Sequence, residues 1–481
     1  MNKPKLTIPT GVSIRDYQKT AYENWLSRNC SGIFAMATGT GKTMTSLYCA
    51  YREYLETIKH GGSNYHMIIL VPTQPLLEQW AKETKFWGFD AHYLISSEYN
   101  WKQGIQELSN DFRFGLDSNF VIISTYRSLT NHGFVSTLNS LPEDTILIAD
   151  EAHTLGQKQI KSHLDKITGL KKRIGLSATP KRQYDEEGSM AMEAFFNDKS
   201  PYCFSLFMDK AIDLGFLCKY EYYPVVVELN TLEMKEYIQI SKKLALHIAR
   251  SSQDNGTDSQ TELLLLKRKR IINKAINKLD ALSGIIKKIK QREPLRYCFT
   301  YAPAGDYQTS ANEDEQDNVR MIRQMQKIFN QESPETRTHA YLGETEDREL
   351  VLDGYAKGEI DVLLAINCLD EGIDIPRTAI GIFTASTGNP RQFIQRRGRL
   401  LRNHKDKSRA LIYDMVVIPK ILSGEDKSFF KIERNLVKTE LTRVGYFAKL
   451  SENFYDAKEA LAPICDYYQL DLDTIITELE E

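Results

Sequence analysis

The sequence predicts an α/β protein: two tandem parallel-sheet domains, with a helical insertion in the second and a small helical region at the C-terminus. Three observations carry this. Apolar runs of strand length recur through both halves and alternate with helical segments. In the first half each run ends in hydroxyl, amide or acidic residues, as in a doubly wound sheet whose strands deliver chemistry to one edge. A glycine-rich turn lies between one of these runs and a helix.

The chain's 481 residues exceed what one hydrophobic core holds. The elements divide it into residues 1–217, 218–420 with a helical insertion over 232–292, and a helical region over 421–481. With 42% hydrophobic and 26% charged residues the composition is that of an ordinary globular protein. A formal net charge of −2 means that any nucleic-acid site is a local patch rather than a global field. Cys30, Cys49, Cys203, Cys218, Cys298, Cys368 and Cys465 stand singly without metal-ligand spacing, so buried free thiols in a reducing cytoplasm are expected. No leader-like h-region and no run of membrane-spanning length is seen.

Taken in order, Ile14-Arg15-Asp16-Tyr17-Gln18 opens an amphipathic helix running to about Leu26. Gly32 to Met36 reads as a strand. Ala37-Thr38-Gly39-Thr40-Gly41-Lys42-Thr43 follows, then a helix from Met44 to about Leu55. Strand, glycine-rich turn and helix form the context of a phosphate-binding loop, where backbone N–H groups and a helix N-terminus converge on phosphate oxygens. In that pattern Lys42 neutralises β/γ-phosphate charge and Thr43 binds Mg²⁺; Met36 stands where the strict pattern has glycine. Met67 to Val71 and Phe120 to Ser124 are further strands, ending in Pro72-Thr73-Gln74 and Thr125-Tyr126. Ile146-Leu147-Ile148-Ala149 runs into Asp150-Glu151-Ala152-His153, where one acid suits a Mg²⁺ ion and the next suits deprotonation of water. Arg173 to Ser177, ending in Ala178-Thr179-Pro180, completes five strands.

In the second half Ala211 to Leu217 and the aromatic run Tyr220 to Pro224 read as a passage between domains, and 232–292 as long helices. Leu264, Ile271, Ala275, Leu279, Leu282, Ile286 and Ile289 recur near helical spacing. The cations from Lys267 to Arg270 and beyond admit two readings, a solvated face or contact with a nucleic-acid backbone. Ser252 to Thr261 is read as a loop and Gly305 to Asn318 as a disordered excursion. Strands are expected over 296–302, 338–342, 361–366, 379–384 and 410–417. Two motifs stand out, Asn367 to Pro376 and Gln392 to Arg402. Helical spacing brings Gln395, Arg399 and Arg402 near one another, and arginines so placed can stabilise charge on a transferring phosphoryl group.

Taken together and in this order, these motifs resemble the DEAH-box branch of the superfamily-2 helicases and translocases. The nearest likeness is to excision-repair helicases and to the motor subunits of restriction enzymes, over about residues 12 to 420. The resemblance implies two RecA-like domains of the P-loop NTPase kind, ATP and Mg²⁺ as cofactors, and nucleic acid as partner, DNA favoured over RNA. It assigns Arg15, Tyr17 and Gln18 to adenine recognition, and Thr38, Gly39, Thr40, Gly41, Lys42 and Thr43 to the phosphates and Mg²⁺. Asp150 becomes a metal ligand and Glu151 the activator of water. Ser177 and Thr179 couple hydrolysis to domain motion. Gly372, Asp374, Gln395, Arg399 and Arg402 act on the nucleotide from the second domain. Thr73, Gln74, Thr125 and Asn367 grip nucleic acid. Ile366 departs from the threonine of many relatives, and the span from Lys42 to Met67 is too short for a strand-separating hairpin. Three functions follow: a DNA helicase or double-stranded DNA translocase in repair, restriction or phage defence; an RNA helicase; or an ATP-gated sensor or motor subunit of a larger complex. In the last, a partner such as a nuclease subunit would meet residues 421–481.

Overall fold

The computed structural model describes residues 6–116, 118–182, 185–251, 259–303, 311–342, 345, 347–366, 375–385, 390–419 and 430–478. The chain forms two compact units, Met1–Phe216 and Leu217–Glu481.

The first unit holds seven strands: β1 (Ser31–Met36), β2 (His66–Val71), β3 (His92–Ile95), β4 (Phe120–Thr125), β5 (Ile146–Asp150), β6 (Lys172–Ser177) and β7 (Phe204–Leu206). They lie in the order β3-β4-β2-β5-β6-β1-β7, every pairing parallel. Parallel pairing requires crossovers that cover both faces, which is why β2 and β5 are buried along their whole length and apolar apart from His66 and Asp150 at their ends. The five anticipated strands are all present. The two unanticipated ones, β3 and β7, are short, partly exposed and at the two edges. Edge strands of three or four residues carry little apolar pattern to read.

The strand order decides where chemistry collects. Because all strands run the same way, their C-terminal ends share one edge. Along it stand Thr125 of β4, Thr73 and Gln74 after β2, Asp150 of β5, Ser177 of β6 and the glycine-rich turn after β1.

Asp198 secures β1 from the other side. Its buried carboxylate accepts hydrogen bonds from Ile33 N and Cys203 N, both at 2.8 Å, and pairs with Arg28 at 2.5 Å. Asp198→Ala strands two buried N–H donors and a guanidinium. The expected loss is about 3–5 kcal/mol, read as a lower urea midpoint. An unchanged midpoint would remove Asp198 from the supports of β1.

The second unit contains β8 (Lys219–Glu228), β9 (Cys298–Tyr301), β10 (Thr338–Tyr341), β11 (Val362–Ala365), β12 (Ile380–Phe383) and β13 (Arg409–Ile418) in the order β10-β11-β9-β12-β13-β8. All pairings are again parallel. The aromatic run over 220–224 is therefore no passage between domains. It lies in β8, a ten-residue edge strand that pairs with β13 from Lys219–Arg409 to Glu228–Ile418. Pro224, which lacks an N–H, is tolerated because β8 has a neighbour on one side only.

The insertion folds as helices Thr231–Ser251, Ser259–Asn273 and Lys278–Arg292. Ile271, Ala275, Leu282, Ile286 and Ile289 join the core of this unit. Residues 252–258 of the loop reading lie outside the described residues, while 259–261 are helical. The excursion reading over 305–318 needs correction: the helix Ala311–Glu332 begins inside it. Further along, the same helix buries Ile322, Met325 and Phe329, an apolar stripe that carries its polar start along. Residues 305–310 lie outside the described residues.

The C-terminal helices Phe430–Ala448 and Phe454–Tyr468 pack on β13 and β8. Phe447 stacks on Tyr222 at 5.3 Å and touches Phe383 and Phe393. Arg443 bridges Asp414 of β13 and Glu440 in a buried cluster. No helix among the described residues is long and apolar enough to cross a membrane. The six cysteines among them are unpaired.

Candidate active site

The turn after β1 is built for close approach. Gly39 and Gly41 have φ of 87° and 83°, a region side chains resist. The helix Lys42–Lys59 starts immediately after, so its unbonded N–H groups face the same place. Among the described residues Lys42 Nζ donates to Met36 O, at 3.4 Å. Thr38 Oγ1 is buried with no hydrogen-bond partner among the described residues. Thr43, the second residue of that helix, is half-buried.

The helix Asp16–Ser27 is fastened to this turn. Tyr17 OH donates to Thr40 O, and Gln18 Nε2 donates to Thr45 Oγ1 at 3.2 Å. Gln18 Oε1 accepts from Arg15 N at 2.9 Å. Phe216 lies 4.7 Å from the Tyr17 ring and 4.9 Å from the Arg15 guanidinium. Arg15, Tyr17 and Gln18 thus form one cluster joined to the phosphate-loop backbone. Burial pushes the Tyr17 hydroxyl above its ordinary pKa, so it stays a donor.

Two strands away, Asp150 is buried at the tip of β5. Its Oδ2 accepts from the Trp80 indole N–H at 2.9 Å, and its Oδ1 from Glu151 N at 3.0 Å. Tyr126 OH donates to Asp150 O at 2.6 Å. Burial, reinforced by the neighbouring Glu151 charge, raises the Asp150 carboxyl from 3.8 to about 6, with Trp80 and Lys42 pulling the other way. Glu151 adopts φ 49°, ψ 52°. A non-glycine residue in this left-handed region stores about 1–3 kcal/mol. Glu151 Oε2 is buried without a hydrogen bond among the described residues; His153 Nδ1, at 3.4 Å, makes a loose ion-pair distance only.

His153 Nδ1 also lies 3.2 Å from Ser177 Oγ, which accepts from Thr179 N at 3.2 Å. Arg182 Nη1 donates to His153 O at 2.8 Å and Arg182 Nε to Asp185 at 2.7 Å. The tips of β5 and β6 are therefore connected side chain by side chain. Further along the edge, Thr73 Oγ1 and Gln74 Nε2 are buried without hydrogen-bond partners among the described residues, and Thr125 Oγ1 lies 3.4 Å from Ser128 Oγ.

In the second unit the helix Pro390–Leu400 sorts its arginines. Arg396 and Arg397 are buried, Arg396 over Tyr301 at 5.0 Å, Arg397 bonded to Tyr446 O and Tyr220 OH. Gln395, Arg399 and Arg402 are half-buried. Asn367, Gly372 and Asp374 lie outside the described residues. Trp80, Tyr126, Arg182 and Phe216 had no signal in the sequence. Each is an isolated residue whose role comes from a partner far along the chain.

Residues 11–182 match the family model described as the res subunit of type III restriction enzymes, and 314–404 match the helicase conserved C-terminal domain. The chain is 26% identical over 422 residues to the DNA 3′-5′ translocase XPB2 of Sulfurisphaera tokodaii, covering 84% of this chain and 82% of that protein. It is 22% identical over 411 residues to the DNA 3′-5′ helicase XPB of Mycobacterium tuberculosis, again over 84% of this chain but 61% of that protein. A type ISP restriction-modification enzyme, LlaBIII, solved bound to DNA, shares the fold with a TM-score of 0.60 and 21% identity, over 92% of this chain and 30% of its own. With two parallel-sheet domains, both domain matches and these relatives, the chain is an ATP-hydrolysing superfamily-2 helicase related to the repair and restriction motors.

Proposed function

We propose that the protein is an ATP-driven helicase or translocase whose track is DNA. The observation that carries the proposal is the adjacency of β5, β6 and β1, which sets the acid pair, Ser177 and the glycine-rich turn on one edge. The DNA track draws on the relatives named above, both DNA 3′-5′ motors by name.

In this reading the backbone from Thr38 to Gly41 and the Lys42 ammonium cradle the phosphates. Arg15, Tyr17 and Gln18 hold the adenine. Thr43 and Asp150 are the residues to hold Mg²⁺. The donor set fits a hard cation: a hydroxyl and a buried carboxylate. Bound Mg²⁺ supplies neutralisation of phosphate charge. Glu151 takes the proton from the attacking water; among the described residues its buried Oε2 has no hydrogen-bond partner that would compete for that role. His153, Ser177 and Thr179 report the state of this carboxylate to the end of β6. Gln395, Arg399 and Arg402 meet the charge that builds on the transferring phosphoryl. Thr73, Gln74, Thr125 and Asn367 hold the nucleic-acid backbone. A protein partner such as a nuclease subunit is assigned to the outer side of the C-terminal helices, where Tyr455 and Tyr467 stand exposed.

The test is ATP turnover by the purified protein alone and with single-stranded DNA, double-stranded DNA or RNA at one fixed low salt concentration. Stimulation by DNA is expected. Stimulation by RNA alone would replace the DNA reading, and none by any polymer would remove the motor reading.

A pH dependence follows from Asp150. Protonation removes a cation ligand, so kcat/KM for ATP falls as pH drops through about 6. Protons and Mg²⁺ compete for this carboxylate, so more Mg²⁺ moves the acid limb lower. The stability term has the opposite sign. With the folded pKa above the unfolded one, the native state takes up the extra proton, so this group stabilises the fold as pH falls from about 6 towards 3.8. An acid limb indifferent to Mg²⁺ would take the metal role from Asp150.

A further inference from the structure

We propose that Lys407 is a positioning residue for the phosphoryl-transfer step: its buried ammonium fixes the turn that carries Arg402 and joins that turn to the segment beginning at Ile375. The assignment rests on the reading of Arg399 and Arg402 given above.

The helix Pro390–Leu400 ends two residues before Arg402. A helix end leaves unpaired carbonyls that normally turn to water or to a glycine cap. Here three in succession are taken by protein donors. Lys407 Nζ donates to Leu400 O and, at 2.8 Å, to Arg402 O. Cys218 N donates to Leu401 O at 2.8 Å, next to an antiparallel bridge between Leu217 and Arg402. The third Lys407 contact is Pro376 O at 3.4 Å, just beyond the segment containing Gly372 and Asp374. An ammonium has three hydrogens, and here it meets three carbonyls from two functional motifs.

Lysine is an unusual choice for a simple cap. Lys407 is only 8% exposed, and burying an ammonium is unfavourable unless fixed partners replace water. Among the described residues no carboxylate pairs with it. Burial lowers its pKa to about 8; the Cys218 thiol opposes this, and the nearby Arg402 charge adds to it. A cation placed here, close to another cation, is explained by what its hydrogens hold. The main-chain bond Lys407 N to His404 O, at 3.0 Å, closes the short hairpin that returns Nζ to the helix end. Arg402 thus leaves a turn fixed on both sides, by Lys407 and by Cys218. Displacing such groups by about 1 Å is enough to slow a reaction on the order of 10²-fold.

The experiment is steady-state ATP turnover at saturating DNA for wild type, Lys407→Met, Lys407→Arg, Arg402→Ala and the Arg402→Ala/Lys407→Met double variant, with a urea midpoint for each. Asp406→Ala serves as a control, because it loosens the same hairpin through the Asp406 pairs with Arg377 and His404 and leaves the residues that carry the three carbonyls unchanged. Lys407→Met is expected to lower kcat on the order of 10²-fold with KM for ATP nearly unchanged. Lys407→Arg should recover part of that loss, and Asp406→Ala should keep wild-type kcat. The double variant should be no slower than Arg402→Ala, because Lys407 acts through Arg402. Near-wild-type kcat in folded Lys407→Met, or losses that multiply in the double variant, would overturn the positioning role while leaving the arginine reading intact. If Arg402→Ala itself keeps its kcat, the arginine reading fails instead. Should Lys407→Met not fold, Lys407→Arg alone and combined with Arg402→Ala answers the same question by the same criteria.

Discussion

Glu151→Gln is expected to lower DNA-stimulated ATP turnover on the order of 10³-fold or more, within the range a positioned general base contributes, while nucleotide still binds. Glutamine keeps the size and the left-handed backbone of Glu151 but cannot take a proton. The variant also removes the neighbouring charge that helps raise the Asp150 carboxyl. Asp150 then becomes a stronger acid and a readier partner for a cation, so affinity for ATP with Mg²⁺ should hold or rise. Turnover under saturating DNA and equilibrium binding of a fluorescent nucleotide separate the two effects. Turnover within tenfold of wild type would mean that another group activates the water. A parallel fall in affinity would point to a damaged phosphate site.

Arg402→Ala is expected to reduce turnover on the order of 10³-fold or more, with far less change in nucleotide affinity. The reason is the timing of charge. A guanidinium that meets the phosphoryl only as charge builds contributes to the transition state and little to the bound ground state. Arg397→Ala is the informative contrast. Arg397 is buried against Phe447 and bonded to Tyr446 O, so its loss should lower the urea midpoint rather than kcat at a permissive temperature. If Arg402→Ala weakens binding in step with rate, its role is ground-state affinity.

The chemistry of the first unit could be read from the sequence because it resides in contiguous runs. Gly39-Thr40-Gly41-Lys42-Thr43 and Asp150-Glu151 carry their own spacing, and the strands that position them are apolar enough to stand out. Trp80, which supports Asp150 from 70 residues away, could not be read so. Neither could Tyr126, nor Phe216 beside Arg15. A helix-borne tryptophan looks the same in sequence whether its N–H meets a catalytic acid or a neutral carbonyl. The arginine-rich helix was legible as a motif. Its division into buried Arg396 and Arg397 against half-buried Gln395, Arg399 and Arg402 depends on packing with Tyr301, Tyr220 and Phe447. The misreading of 220–224 has a similar origin: proline argues against a central strand, and only the strand order reveals an edge.

That edge strand has a consequence for how the protein is made. Lys219 waits for a partner roughly 190 residues further along, because β8 pairs with β13 alone, so the closing contact of this sheet has very high sequence separation. During synthesis Tyr220 to Val227 must leave the ribosome well before Arg409 to Ile418 exist. The pairing therefore comes after every other strand of the sheet exists, and a slow docking step is expected in maturation of the second unit. In that interval an apolar strand edge stays open to wrong partners. That exposure follows from topology, whatever the stability of the finished fold.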